Sequence, residues 1–171
     1  TGGLLGLSRT GARQWEPVNL QQLIEATWAS LQPQKLFRQI TFDMQLATEV
    51  PSLIGDSDRL RQVLVNLLLN AVQALEEQGT IHVELRTAGK GAEIIVDDDG
   101  PGISFEQRDS IFDPFFSTKE KGKGTGLGLA ICRKLIEEHG GSIEALDSPL
   151  GGARIRIYLP CDKEGKTPPL C

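Results

Sequence analysis

Hydrophobic positions in this chain repeat at two spacings. A stripe of Leu20, Leu23, Ile24, Thr27, Trp28 and Leu31 recurs every three or four residues and predicts a helix over 18–37, with Asn19 as its N-cap. Residues 40–46 alternate apolar and polar, which is a strand pattern. The strongest helical stripe is Leu60, Val63, Leu64, Leu67, Leu68, Ala71 and Leu75, within 56–78. Asp56 or Ser57 can cap it, and Gly79 reads as its stop. Strands over 81–87 and 92–97 follow, joined by a hairpin turn at 88–91. Residues 104–111 read as a short helix, 112–125 as a mobile loop, and 126–138 as a helix ended by Gly140-Gly141. Strands over 142–147 and 153–159 flank the turn 148–152. The sum is an α+β two-layer sandwich: a mixed sheet with helices over one face.

Composition narrows the setting. The 171 residues bound one domain with a modest extension. We expect residues 1–16 to be the end of a preceding helix and its linker, 17–160 the domain, and 161–171 a loose tail. A net charge of -5 gives no support to a nucleic-acid partner. No stretch reaches the roughly 18 apolar residues of a membrane span, so no membrane contact is expected. The apolar start, Thr1-Gly-Gly-Leu-Leu-Gly-Leu, lacks a basic leader and is not read as a signal peptide. Cys132, Cys161 and Cys171 form no CxxC pair, and with two histidines in the chain they do not make a zinc site. Such dispersed cysteines fit a reducing, cytoplasmic setting, and Cys132 reads as a small core residue.

Four motifs carry the chemistry. Asn66, Asn70 and Gln73 share one face of the long helix, offset from its leucines. Asparagine is a mediocre helix former, and its side-chain oxygen is a hard ligand suited to Mg²⁺. The functional reading puts Asn70 on the metal and Asn66 close to a triphosphate. The alternative is a pair of solvated asparagines. In Asp98-Asp-Gly100-Pro-Gly102-Ile103 a strand ends in carboxylates and a glycine-bracketed turn. Asp98 can accept from an adenine amino group, Gly100 and Gly102 let backbone approach a flat base, and Ile103 can line the slot. Alone, this is an ordinary Asp-Gly turn.

Phe112, Phe115 and Phe116 surround Pro114 and can anchor a moving loop, in a chain whose aromatic content is 5%. Lys119, Lys121 and Lys123 follow, with Lys119 the best placed for phosphate. The plain alternative is a solvated charged loop. Last, Gly124-Thr125-Gly126-Leu127-Gly128 runs into a helix start. Free backbone amides and the positive end of the helix dipole make such a start a phosphate site. The stretch matches neither GxGxxG nor a Walker A loop.

Taken in order, the four motifs resemble the N, G1, F and G2 boxes of the catalytic, ATP-binding domain of sensor histidine kinases, over residues 17–160. The short segment between Phe116 and Gly124 is similar to the compact lid of nitrogen-regulation-type kinases. The resemblance implies a Bergerat fold with a five-stranded mixed sheet, three main helices, and ATP under a flexible lid. It implies Asn70 as magnesium ligand, Asp98 as adenine acceptor, and Gly124, Gly126 and Gly128 as phosphate-facing glycines. Two departures stand out. Ala153 follows Gly152 where the family often has Thr. The chain also lacks a His followed by an acidic residue in a dimerising hairpin. His82 falls in a strand, as a partly exposed sheet residue, and His139 at a helix end, where the dipole would help it.

The implied reaction is transfer of the ATP γ-phosphoryl group to a histidine on a dimerisation domain outside this chain, with a response-regulator receiver domain as further partner. Phosphoryl transfer rests on positioning and charge neutralisation. Dimerisation belongs to the hairpin, so the chain itself is expected to be monomeric. One alternative is an ATP hydrolase of the gyrase, mismatch-repair and chaperone superfamily. Those enzymes place a Glu four residues before the magnesium Asn, where this chain has Asn66, and a neutral amide takes no proton from water. The same residue disfavours the anti-sigma serine kinases. A second alternative is a non-catalytic module that binds nucleotide only to fix its shape.

Overall fold

A computed structural model describes residues 14–114 and 128–161. Lys119, Gly124, Thr125, Gly126 and Leu127, and nearly all of the expected mobile loop, lie outside the described residues. The elements are β1 (Glu16–Val18), α1 (Leu20–Leu31), β2 (Gln39–Leu46), β3 (Leu53–Gly55), α2 (Ser57–Ala74), β4 (Gln78–Ala88), β5 (Gly91–Asp98), α3 (Gly128–Glu138), β6 (Ser142–Asp147) and β7 (Ala153–Pro160).

Five strands form one sheet in the order β2-β4-β5-β7-β6. β2 and β4 run parallel, and the other neighbours are antiparallel. A parallel pair needs a crossover, which α2 supplies. One sheet face, with Ile81, Val83, Leu85, Ile94, Val96, Ile155 and Ile157, packs against Leu60, Val63, Leu64, Leu67 and Leu68 of α2 and Leu135 and Ile136 of α3. The expected two-layer sandwich with three main helices is therefore what the described residues form.

Among the described residues no helix covers the other face. Ile95 and Asp97 point there, yet they are 0% and 2% exposed. Arginine forks close over them. Arg154 grips Asp97 with Nε to Oδ1 at 2.8 Å and a terminal nitrogen to Oδ2 at 3.0 Å. Arg86 donates to Glu93 at 2.9 Å, and Arg156 pairs with Glu144 and Glu93. The guanidinium heads neutralise the carboxylates.

Several boundaries differ from expectation. Asn19 caps α1 by accepting from the Gln22 amide at 3.0 Å. The helix ends at Leu31 rather than near 37, because Pro33 has no amide to continue it, and Lys35–Phe37 forms a separate 3-10 turn. Asp56 caps α2, its Oδ1 taking the Asp58 and Arg59 amides at 3.1 and 3.2 Å. Gly79 is not the stop: α2 ends through Glu76 and Glu77, both left-handed at φ 53° and 65°, and Gly79 lies inside β4. Residues 104–111 form two 3-10 turns, Phe105–Gln107 and Ser110–Phe112, not one helix. β1 and β3, three residues each, pair as a separate antiparallel ribbon. Neither is long enough to show a period in sequence.

Candidate functional site

The expected site residues begin along one edge of α2. Asn66, Asn70 and Ala74 follow at single-turn intervals, each step rising about 6 Å. The Asn66 side chain hydrogen-bonds the thiol of Cys132 on α3. Cys132 Sγ also donates to the Val63 carbonyl at 3.7 Å. At the other end, a Cβ on Gly100 would lie 3.6 Å from the Ala74 carbonyl and 3.2 Å from Leu75 Cδ2. The line of side chains therefore runs from α3 to the turn after β5, with half-buried Asn70 in the middle. Gln73, exposed, continues the same face.

Asp98 ends β5 and is 7% exposed. Its Oδ1 accepts from the Gly100 amide at 2.9 Å and the Ala153 amide at 3.1 Å. Among the described residues Oδ2 accepts no hydrogen bond. Burial pushes this carboxyl above its ordinary range; the two amides pull it down, and Asp99 and Asp97 add to the rise. Asp99 turns the other way and ties the turn to β4, its Oδ1 taking the Thr80 amide at 2.8 Å. Gly102 sits at φ +80°, where a side chain is strained. Ile103 is half-buried against the core.

Gly152, in the β6–β7 turn, completes this end. A Cβ there would stand 2.5 Å from both the Asp98 carbonyl oxygen and the Gly100 amide. Nothing in the local sequence marks Gly152 or the Ala153 amide as part of the site. The Gly151-Gly152 pair signals a turn, but nothing local says that it packs on residue 98. The Asn66–Cys132 contact was missed for the same reason. Burial pushes the Cys132 thiol up to about 12, against the pull of its Asn66 hydrogen bond.

Of the expected site residues, Asn66 and Asn70 share one face of α2, Asp98, Gly100 and Gly102 meet in the turn beside its C-terminal end, and Ile103 packs on the core. Gly128 begins α3 as described, and no atom of the described residues lies within 4 Å of where its Cβ would point. A separate apolar concavity of about 500 Å³, lined by Phe112, Pro114, Ala130, Ile131 and Lys134 among others, lies on the face of α3 opposite Cys132.

Both histidines fall outside the cleft. His82 is a partly exposed sheet residue paired with Asp43 at 2.7 Å, as expected. His139 is at a helix end, also as expected, but the dipole does not govern it. It is 3% exposed, and burial holds its pKa below the ordinary value. No group of three or more potential ligands among His, Cys, Asp and Glu that could hold a metal ion occurs among the described residues. No described helix is long and apolar enough to cross a membrane.

Residues 55–163 match the family model described as histidine kinase-, DNA gyrase B-, and HSP90-like ATPase. The sensor histidine kinase ZraS of Klebsiella oxytoca is 38% identical over 164 residues, which is 95% of this chain and 35% of that protein. The chain thus spans about a third of the length of such relatives. The nucleotide-free catalytic domain of histidine kinase ThkA superposes with TM-score 0.79 at 33% identity, covering 90% of this chain and 99% of that one. ThkA in complex with the response regulator protein TrrA gives TM-score 0.77 at 29% identity, over 94% of this chain and 46% of that one. The chain belongs to the histidine kinase-, DNA gyrase B- and HSP90-like ATPase family, and within it is the ATP-binding catalytic domain of a sensor histidine kinase.

Proposed function

We propose that the edge formed by Asn66, Asn70 and the Asp98–Gly102 turn is the ATP cleft, and that this domain hands the γ-phosphoryl group to a histidine on a separate dimerisation domain. The observation that carries the reading is the shared edge of α2, with a buried carboxylate at one end and amide side chains along it. Asp98 Oδ2 is the atom assigned to the adenine amino group, since Oδ1 is already taken by two backbone amides. Gly152 lets the β6–β7 turn pack against Asp98 and Gly100, which fixes the carboxylate where the base edge has to approach.

Asn70 is the assigned magnesium ligand. A neutral amide oxygen is a suitable donor, with phosphates and water filling the remaining positions. When bound, the metal neutralises charge on the polyphosphate. Asn66, steadied by Cys132, orients toward the triphosphate and adds a donor amide without a proton-accepting group. Lys119, Thr125, Leu127 and the glycines Gly124, Gly126 and Gly128 are the assigned phosphate contacts, on motif grounds.

The receiving histidine and the acid that assists it would belong to the dimerisation domain. A response-regulator receiver domain would be the next acceptor, as the ThkA–TrrA complex suggests for this kind of kinase. We take the domain itself to be a cytoplasmic monomer.

The test mixes this chain and labelled ATP with a separately made histidine-bearing hairpin. Labelled phosphohistidine on the hairpin supports the reading, and calorimetry should give a micromolar Kd for Mg-ATP. Absence of nucleotide binding would remove it. Steady phosphate release without a hairpin, lost in Asn66→Ala, would favour the hydrolase alternative.

A further inference from the structure

The chain enters the domain through Gln14, Trp15 and β1, and this segment is fastened to two helix ends. The Gln14 amide donates to Asp56 Oδ2 at 3.3 Å, and Ser57 Oγ donates to Glu16 Oε1 at 3.1 Å. β1 pairs with β3, which ends at Gly55, one residue before the α2 cap. Trp15 meets the ring of His139 edge-on, with centroids 4.8 Å apart.

His139 joins these parts, and both ring nitrogens are committed. Nδ1 lies 2.7 Å from the Leu135 carbonyl, which can only accept. The ring hydrogen is therefore on Nδ1. Nε2 lies 3.0 Å from the Asp56 amide nitrogen, which can only donate. Nε2 must then be the unprotonated acceptor. A Cβ on Gly55 would stand 2.9 Å from His139 Cδ2, so glycine is what lets the ring come this close.

We propose that this junction is a proton-sensitive latch: neutral His139 holds residues 14–18 on the ends of α2 and α3, and a proton on Nε2 sets N–H against N–H and releases them. The charged groups around the ring are known. Asp56 from the α2 cap and Glu138 from α3 favour the proton, and Arg59 from α2 opposes it. Glu16 of β1 is held by Ser57. Burial outweighs the carboxylates, so the folded ring gains its proton below the ordinary histidine range. The sign follows. The unfolded chain takes up this proton first, at about pH 6.5. The latch is fully stable above that value and weakens as pH falls through it toward the folded value. Released, residues 14–18 become tether instead of anchor. The proposal goes beyond the nucleotide reading and rests on none of it.

The experiment uses the whole chain labelled with 5-fluorotryptophan. Its two tryptophans give two fluorine resonances, assigned with Trp28→Phe. The resonances and the His139 ring signals are followed from about pH 7.5 downward. The expected result is that Trp15 moves to a solvent-exposed shift with the midpoint of His139 while Trp28 stays still. Over the same range, amide exchange at residues 14–18 should rise about tenfold relative to β4. His139→Gln offers an acceptor to Asp56 without a titrating proton and should abolish the transition. Trp15 unmoved through the His139 titration would overturn the proposal. So would the same midpoint in His139→Gln, or His139 first titrating when Trp28 also moves, which would be global unfolding.

Discussion

The Ala153 amide donates to Oδ1 of Asp98 across 3.1 Å, joining the start of β7 to the end of β5. The Gly100 amide shares that oxygen. Two backbone donors thus fix the carboxylate, yet burial still lifts its pKa.

A carboxyl with a raised pKa is better tolerated protonated, so its charge costs stability above the unfolded value of 3.8. Asp98→Asn removes the charge and keeps an oxygen for both amides. We expect a gain in stability near neutral pH, read as a higher Tm, together with at least about a tenfold loss of ATP affinity. Calorimetry, by heating and by titration, reads both. A stability loss would show that the charged form is the favoured one.

Gly152→Ala tests the close approach of the two turns. The new methyl would meet Asp98 and Gly100 backbone atoms at 2.5 Å, and neither belongs to a flexible side chain. The expected cost is about 2 kcal/mol or more, with nucleotide binding lost while the far-UV spectrum keeps its shape. Unchanged affinity would mean that the turn moves without consequence.

Glu77 is left-handed at φ 65°, and its amide reaches back to the Val72 carbonyl at 2.9 Å. The bond closes the helix end, and the side chain is exposed and adds strain. Glu77→Gly is therefore expected to stabilise by about 0.5–1 kcal/mol in urea unfolding. A destabilisation would place an unseen contact on the Glu77 carboxylate.

Cys132 is fully buried, and its thiol is pushed up to about 12. Only the thiolate attacks common reagents. We expect no labelling of Cys132 by a maleimide at about pH 8 until the chain unfolds, read by peptide mass spectrometry. Rapid labelling in native buffer would mean that the α2–α3 interface opens.

Most of the fold was legible because it is written in local periods. The leucine stripe of α2, the alternation in β2 and the cap at Asp56 need only near neighbours. The motif residues were legible because their types are unusual for their places: two asparagines on one helix face, and a carboxylate before a glycine turn. What stayed hidden depends on distant partners. Glu76 and Glu77 take the left-handed positions at the end of α2, where local sequence points to Gly79. His139 looked like a dipole-stabilised helix end, but its surroundings come from Gly55, Asp56 and Trp15. Gly152 gained its meaning only when β7 was laid beside β5.

The arginine forks across the exposed sheet face have a consequence for how the domain wears mutation. Among the described residues Asp97 is gripped there by one partner, Arg154. Losing that arginine alone strands a dehydrated negative charge, whereas Glu93, gripped by both Arg86 and Arg156, has a spare. The unclad side of this protein is thus robust at its rim and brittle at one rivet.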